Sequence, residues 1–270
     1  MANIKNQPFK EENMKKNYRW DNLTSPEIKK MAENNAIVIL PIGSVEQHGP
    51  HLPVGCDYLM ATHVSEKIAE KLNEIGKPCL VAPSLSVCNS THHMSFAGSM
   101  TLRVSTYMAL LRDYCVSIAK HGFKKIVIVN GHGGNTAPTE AALIDINEEL
   151  GFPVYFTGYW MSDDKAQPEI LETQSGMIHA CESETSMVLS YDETLVDPVY
   201  KETKGNPGYP LEVENNGILH TFHRMEMHTE NGVMGNSFMA SKEKGDRMTE
   251  RFVDGFVKIF SDDRIWNQPV

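Results

Sequence analysis

Ala36-Ile-Val-Ile-Leu-Pro-Ile-Gly-Ser-Val-Glu-Gln-His-Gly-Pro-His-Leu-Pro-Val-Gly-Cys-Asp57 begins as an apolar run and ends in a cluster of ionisable side chains. The β-branched stretch Ala36–Leu40 reads as a strand buried on both faces. Directly after it come Glu46, His48, His51 and Asp57. In an extended segment residues i and i+2 point to one side, so Glu46 and His48 can face the same centre. Gly49-Pro50 and Pro53-Val-Gly55 force turns that bring Asp57 back toward them. Carboxylate plus imidazole at the end of a buried strand suits Zn, Mn or Fe rather than Ca or Mg. The competing reading is a polar turn with one capping aspartate.

Outward from this segment the chain alternates strands and helices. Ser25-Pro26-Glu27 reads as an N-cap followed by proline at the first helical position. Asp57 can cap a helix whose apolar face carries Leu59, Val64, Ile68 and Leu72, with Gly76 just beyond its end. Cys79 to Ala82 is strand-like. A helix opens at Ser105, carries Leu110, Leu111, Tyr114 and Ile118, and ends near Gly122. Lys125-Ile-Val-Ile-Val129 is a second apolar strand, followed by a helix from about Pro138 to Leu150 and the strand Val154–Thr157. Glu184 to Ser190 and Lys242 to Phe260 read as helices. This order predicts a mostly parallel sheet covered on both faces, with ligands bound outside the carboxyl ends of the strands. The stretch Lys204 to Gly235 is weakly periodic and reads as a long functional loop or a cover over the cleft. The interval Ser162 to Gln174 is expected to share in specificity.

Two further segments resemble the first in character. Asn130-Gly-His-Gly-Gly-Asn135 follows the second apolar strand. A phosphate-cradling loop is the alternative, but G-x-G-x-x-G spacing and a P-loop lysine are both lacking, so His132 reads as a metal ligand. His179-Ala-Cys-Glu-Ser-Glu-Thr-Ser186 adds His179, Glu182 and Glu184. If a helix begins near Glu182 the two carboxylates diverge, so one can ligate while the other caps. Trp160, just past a strand end, is placed to stack on a flat substrate or to pack. His92, His93, His220, His223 and His228 read as solvated or hydrogen-bonded, and Met225-Glu-Met227 as packing.

Composition bounds the rest. The 270 residues are 41% hydrophobic and 22% charged, enough for one large core or at most two small ones. A net charge of −10 disfavours nucleic acid or an anionic membrane as partner. Met1 to Arg19 has no apolar h-region, so no signal peptide is expected, and no apolar run approaches a bilayer span. The five cysteines are scattered without a C-x-x-C pair, which predicts reduced thiols and a cytoplasmic setting. Cys56 and Cys181 read as small apolar filler near the site.

The segments Gly43–Asp57, Asn130–Asn135 and His179–Ser186 together resemble the creatininase (creatinine amidohydrolase) family. His93-Met-Ser-Phe-Ala-Gly-Ser-Met-Thr-Leu102 and Gly232-Val-Met-Gly-Asn-Ser237 look like its weaker signatures. The resemblance covers about residues 20 to 260 and implies one α/β domain over 20–262, a three-layer α/β/α sandwich, behind an N-terminal extension. It implies two divalent ions, zinc first with Mn or Fe as alternatives, and hydrolysis of a C–N bond in a small amide, cyclic amide or formamide by a metal-activated water. Carried over by position, Glu46 and His132 hold one ion and His48 the other, with Asp57 bridging. His179 is the proton shuttle, with Glu182 a candidate beside it. Trp160, Ser44 and Gln47 are the expected substrate contacts. A homo-oligomer, a hexamer by resemblance, is also implied. One departure stands out: where creatininase itself has a metal-binding glutamate this chain has Gly134, and Glu184 is expected to supply the missing carboxylate. The competing activities are opening of a sugar-derived lactone or cyclic ketone and, from another class, non-catalytic metal or nucleotide binding.

Overall fold

A computed structural model describes residues 18–205 and 221–269. Its main elements are α1 (Ser25–Glu33), β1 (Ile37–Ile42), α2 (Cys56–Glu74), β2 (Cys79–Val81), α3 (Val104–Lys120), β3 (Lys125–Asn130), α4 (Thr136–Leu150), β4 (Val154–Gly158), α5 (Ala166–Ile170), α6 (Glu182–Asp192) and α7 (Lys242–Phe260). The four strands form one sheet in the order β2-β1-β3-β4. Every pairing is parallel, with Ile39 opposite both Val81 and Val127.

The strands are apolar throughout because both faces are covered. Ile37, Ile39, Val127 and Val129 point into a layer with Met60, Val64 and Ile68 of α2, Met187 and Val188 of α6, and Phe252 and Phe256 of α7. Val38, Leu40, Ile126 and Ile128 point the other way, onto Ile28 of α1, Leu111 of α3 and Ile146 of α4. This is the expected three-layer α/β/α sandwich. Among the described residues no helix is long and apolar enough to cross a membrane.

The layers also locate the site. The chain leaves β1 through α2 on one face and reaches β2, whereas it leaves β3 through α4 on the other face and reaches β4. Neighbouring strands whose connections diverge leave a crevice at their carboxyl ends. Ile42 and Asn130, the last residues of β1 and β3, are register partners at that point. A side chain on Gly131 would collide there with the Asp57 carbonyl, 2.1 Å from its Cβ position, so glycine lets β3 dock against the start of α2.

Element boundaries hold to within a few residues, with informative exceptions. The N-cap of α1 is Thr24, one residue before Ser25, and it forms a reciprocal capping box with Glu27. Asp57 lies inside the first turn of α2 behind the N-cap Gly55, so it is not the cap. The five-residue α5 falls in the interval Ser162–Gln174, too short for a helical period to show. Of the expected cover from Lys204 to Gly235, residues 206–220, and with them His220, lie outside the described residues.

Candidate metal centre

Asp57 is the hub. Its carboxylate is buried, with Oδ1 3.1 Å from His48 Nε2 and Oδ2 3.2 Å from His132 Nδ1. The two imidazoles are oriented from behind. His48 Nδ1 lies 3.2 Å from the Glu46 carbonyl, and His132 Nε2 lies 3.0 Å from the Asn89 carbonyl. A carbonyl only accepts, so both of these nitrogens carry a proton, and the opposite ring nitrogens are turned toward Asp57. Asn130, at the tip of β3, pins the His132 backbone in both directions, accepting from its N–H at 3.0 Å and donating to its carbonyl at 2.6 Å.

Glu46 closes the His132 side. Its Oε2 is 3.1 Å from His132 Nδ1 and also receives the Ser90 hydroxyl. Its Oε1 is 3.2 Å from His93 Nε2 and 3.6 Å from His179 Nδ1. Glu184 closes the other side, with Oε2 3.8 Å from His48 Nε2 and accepting the Ala180 N–H at 2.6 Å. Glu184 therefore stands on the His48 side of Asp57 and does not fill the quarter next to Gly134. Ala180 adopts a left-handed φ of 51° between His179 and the helix, local strain held at a functional position.

The electrostatics is that of a site built for cations. Burial disfavours charge on Asp57, yet the facing imidazoles hold its carboxyl far below the usual range. Burial also opposes a proton on His132, but Glu46 and Asp57 outweigh it and push this group up to about 10. Burial foremost raises Glu184. His48 Nε2 and Asp57 Oδ2 are buried with no hydrogen-bond partner. Orphaned atoms of this kind in a native interior call for an ion or a water. Donor atoms from Glu46, His48 and His179, from Glu46, His92 and His132, and from His48, Cys56 and Asp57 lie within 4.8 Å of one another. Carboxylate and imidazole oxygens and nitrogens match the donor chemistry of Zn or Mn. Burial pushes the Cys56 thiol up to about 12, which keeps it protonated.

His179 hangs over the cluster. Its Nε2 lies 2.8 Å from the Gln47 carbonyl and 2.9 Å from the Gln47 side-chain nitrogen, and its Nδ1 faces Glu46. Burial foremost, with His48 beside it, holds its proton affinity well below the ordinary value. A cavity of about 610 Å³ opens above, lined by Glu46, Asp57, His132, Trp160, His179 and Glu184 among others. Trp160 is thus at the cavity as expected.

Three predicted site residues are placed elsewhere. Glu182 is fully buried behind the helix start, where its carboxylate accepts from Thr173 N and Oγ1 and from Lys244 Nζ at 2.6 Å. A carboxylate so saturated and so walled off has no path to a substrate. Ser44 is buried, its hydroxyl against that of Ser90, and does not line the cavity. Gln47 likewise sits behind the histidines. Its Oε1 accepts the Gly49 N–H at 2.9 Å, which sets the amide orientation, and its Nε2 lies 3.0 Å from both His93 Nδ1 and the Gly232 carbonyl. With Nδ1 accepting, His93 carries its proton on Nε2 and donates to Glu46. His93 is hydrogen-bonded, as its sequence reading allowed, whereas Ser90 and Asn89 are supports that the sequence did not mark. They lie in the irregular stretch between β2 and α3, and the only signal was the weak family signature starting at His93. The His223 and His228 rings pack on each other, centroids 5.7 Å apart, and neither lines this cavity.

Known proteins resemble this chain in sequence and in fold. The family model described as "Creatinine amidohydrolase" matches residues 21–260. A mycofactocin precursor peptide peptidase of Mycobacterium ulcerans is 35% identical over 116 residues, 42% of this chain and 46% of that protein, so the match spans under half of that relative. A 3-dehydro-scyllo-inosose hydrolase of Thermotoga maritima is 26% identical over 265 residues, covering 90% of this chain and 82% of that protein. A solved structure titled "Creatininase Mn" superposes with a TM-score of 0.79 at 23% identity, covering 94% of this chain and 100% of that one, which supports the fold.

Proposed function

The chain belongs to the creatininase family, and on that premise we propose that it hydrolyses a C–N bond of a small amide, cyclic amide or formamide. The observation that carries this reading is the Asp57 carboxylate shared between two oriented imidazoles, with His48 Nε2 and Asp57 Oδ2 left orphaned in the interior. Glu46, His132 and Asp57 would hold one divalent ion; His48, Asp57 and Glu184 would hold the second. Zinc is the first expectation for both ions, with manganese next, as in the solved relative whose title names it. When bound, such ions supply an acidified water and polarise a carbonyl oxygen.

The chain's own residues do the remainder. His179 lines the cavity with its Nδ1 turned toward Glu46, 3.6 Å from Oε1. It is placed to take a proton at Nδ1 and return it to the departing nitrogen. Gln47 and His93 hold Glu46 in register, and Trp160 offers a flat wall to a planar amide. The cavity lining includes Glu46, Asp57, Asp163, Asp164 and Glu184 but no lysine or arginine among the described residues. Glu46, Asp57 and Glu184 would be neutralised as ligands of the two ions, whose charge dominates the local field, so an anionic substrate is as compatible with this wall as a neutral one.

A second reading, opening of a hydroxyl-rich cyclic ketone, is favoured by the long match to the inosose hydrolase. The test is to strip the protein with chelator, reload it with Zn or Mn, and offer neutral amides, formamides, short peptides and cyclic polyhydroxy ketones. Amine, ammonia or formate release that depends on reloading supports the amide reading. Turnover of ketones alone supports the second, and no turnover of any of them contradicts both.

A further inference from the structure

We propose that His92 is an additional ligand of the ion held by Glu46 and His132, filling the quarter that Gly134 leaves without a side chain. The proposal rests on the two-ion reading above. Donor atoms of Glu46, His92 and His132 lie within 4.8 Å of one another. The His92 and His132 rings stack, 14° from parallel with centroids 5.3 Å apart, so ligation requires the His92 ring to turn toward Glu46. His92 lines the same cavity and makes no hydrogen bond to another described residue.

Position 134 is closed to any donor of its own. A Cβ there would lie 2.4 Å from His132 Nε2, 2.7 Å from His92 Cε1 and 2.9 Å from the Asn89 carbonyl oxygen. Glu184 cannot serve this side either, because it stands by His48 across Asp57. Without His92 this ion has only Glu46, Asp57 and His132. With it the set is two carboxylates and two imidazoles, and a water would make the ion five-coordinate.

The neighbouring histidine makes the assignment specific. His93 is committed at both nitrogens, Nδ1 to the Gln47 amide and Nε2 to Glu46. Adjacent residues on one short turn, Thr91–His93, thus divide the work: His93 orients a carboxylate and His92 offers a lone pair.

The experiment measures ion stoichiometry and affinity by elemental analysis and competition with a chromophoric chelator, using zinc as probe, in wild type and in His92→Ala, His92→Gln and His92→Glu. Melting curves report folding independently. Wild type is expected to retain about two ions, and His92→Ala and His92→Gln to drop to one or to weaken one site by tenfold or more, a loss seen even for outer-shell partners. His92→Glu, which keeps a donor, is expected to recover the second ion. Cobalt-substituted protein should show a changed visible spectrum in the Ala and Gln variants. Wild type with two ions and folded His92→Ala with two ions of unchanged affinity would overturn the His92 assignment alone. Wild type that takes up no ion would overturn the two-ion reading and this assignment with it.

Discussion

Glu182 and Glu184 lie two residues apart at the start of α6, and both are buried. Their surroundings differ in the number of donors. Glu182 accepts from the backbone N–H groups of Glu172 and Thr173, from the Thr173 hydroxyl and from Lys244, all at 3.1 Å or less. Burial alone would raise its carboxyl, but Lys244 and Thr173 outweigh that and bring it below its ordinary value. Glu184 has the Ala180 N–H and a histidine 3.8 Å away, and burial raises it. A buried carboxylate with its acceptor capacity filled is part of the scaffold. Glu184, short of donors beside an orphaned imidazole nitrogen, is the one we propose as a metal ligand. Helix geometry produces the division, because residues two apart cannot share a face.

This contrast can be broken by substitution. The largest effect is expected at the hub: Asp57→Ala should lower bound metal to less than one ion per chain and bring hydrolysis to background, read by elemental analysis and turnover. On the Glu182 side, Lys244→Met strands a buried carboxylate and should cost about 3–5 kcal/mol in denaturant unfolding, with metal content unchanged. If Lys244→Met instead removed metal without destabilising the fold, the two glutamates would have exchanged roles.

The pH dependence sharpens the comparison. A depressed folded-state value means that Glu182 stabilises the fold above the unfolded carboxyl value and that this contribution is lost as pH falls through the folded value. The stability gap between wild type and Glu182→Gln should therefore be widest near neutral pH and close below about pH 4.3, the unfolded glutamate value. A gap independent of pH would mean that the contribution is packing. The smallest effect is expected at the cavity wall. Trp160→Leu should raise KM for a planar amide by about 2- to 10-fold, corresponding to about 0.5–1.5 kcal/mol of lost aromatic contact, with little change in kcat. A fall in kcat at unchanged KM would assign Trp160 to the reacting geometry instead.

Much of the molecule was legible from the chain itself. β1 and β3 announce themselves because a parallel strand covered on both faces must be apolar throughout, and Glu46, His48 and His132 follow their ends where ligands collect. What separates Glu182 from Glu184 was not legible, since it depends on Lys244, which α7 brings back against the start of α6. The family resemblance made Gln47 an expected substrate contact. Its amide is taken up by His93 and the Gly232 carbonyl, and it does not line the cavity. The contributions of Ser90 and Asn89 come from a stretch with no helical or strand period, so only the folded arrangement reveals them.

The most direct test of the contrast is metal content per chain, by elemental analysis on untagged protein, for wild type, Asp57→Ala and Glu182→Gln side by side. Two ions in wild type, fewer than one in Asp57→Ala and two in folded Glu182→Gln are predicted. Wild type that takes up no ion when Zn or Mn is supplied, or loss of metal in folded Glu182→Gln, would contradict it.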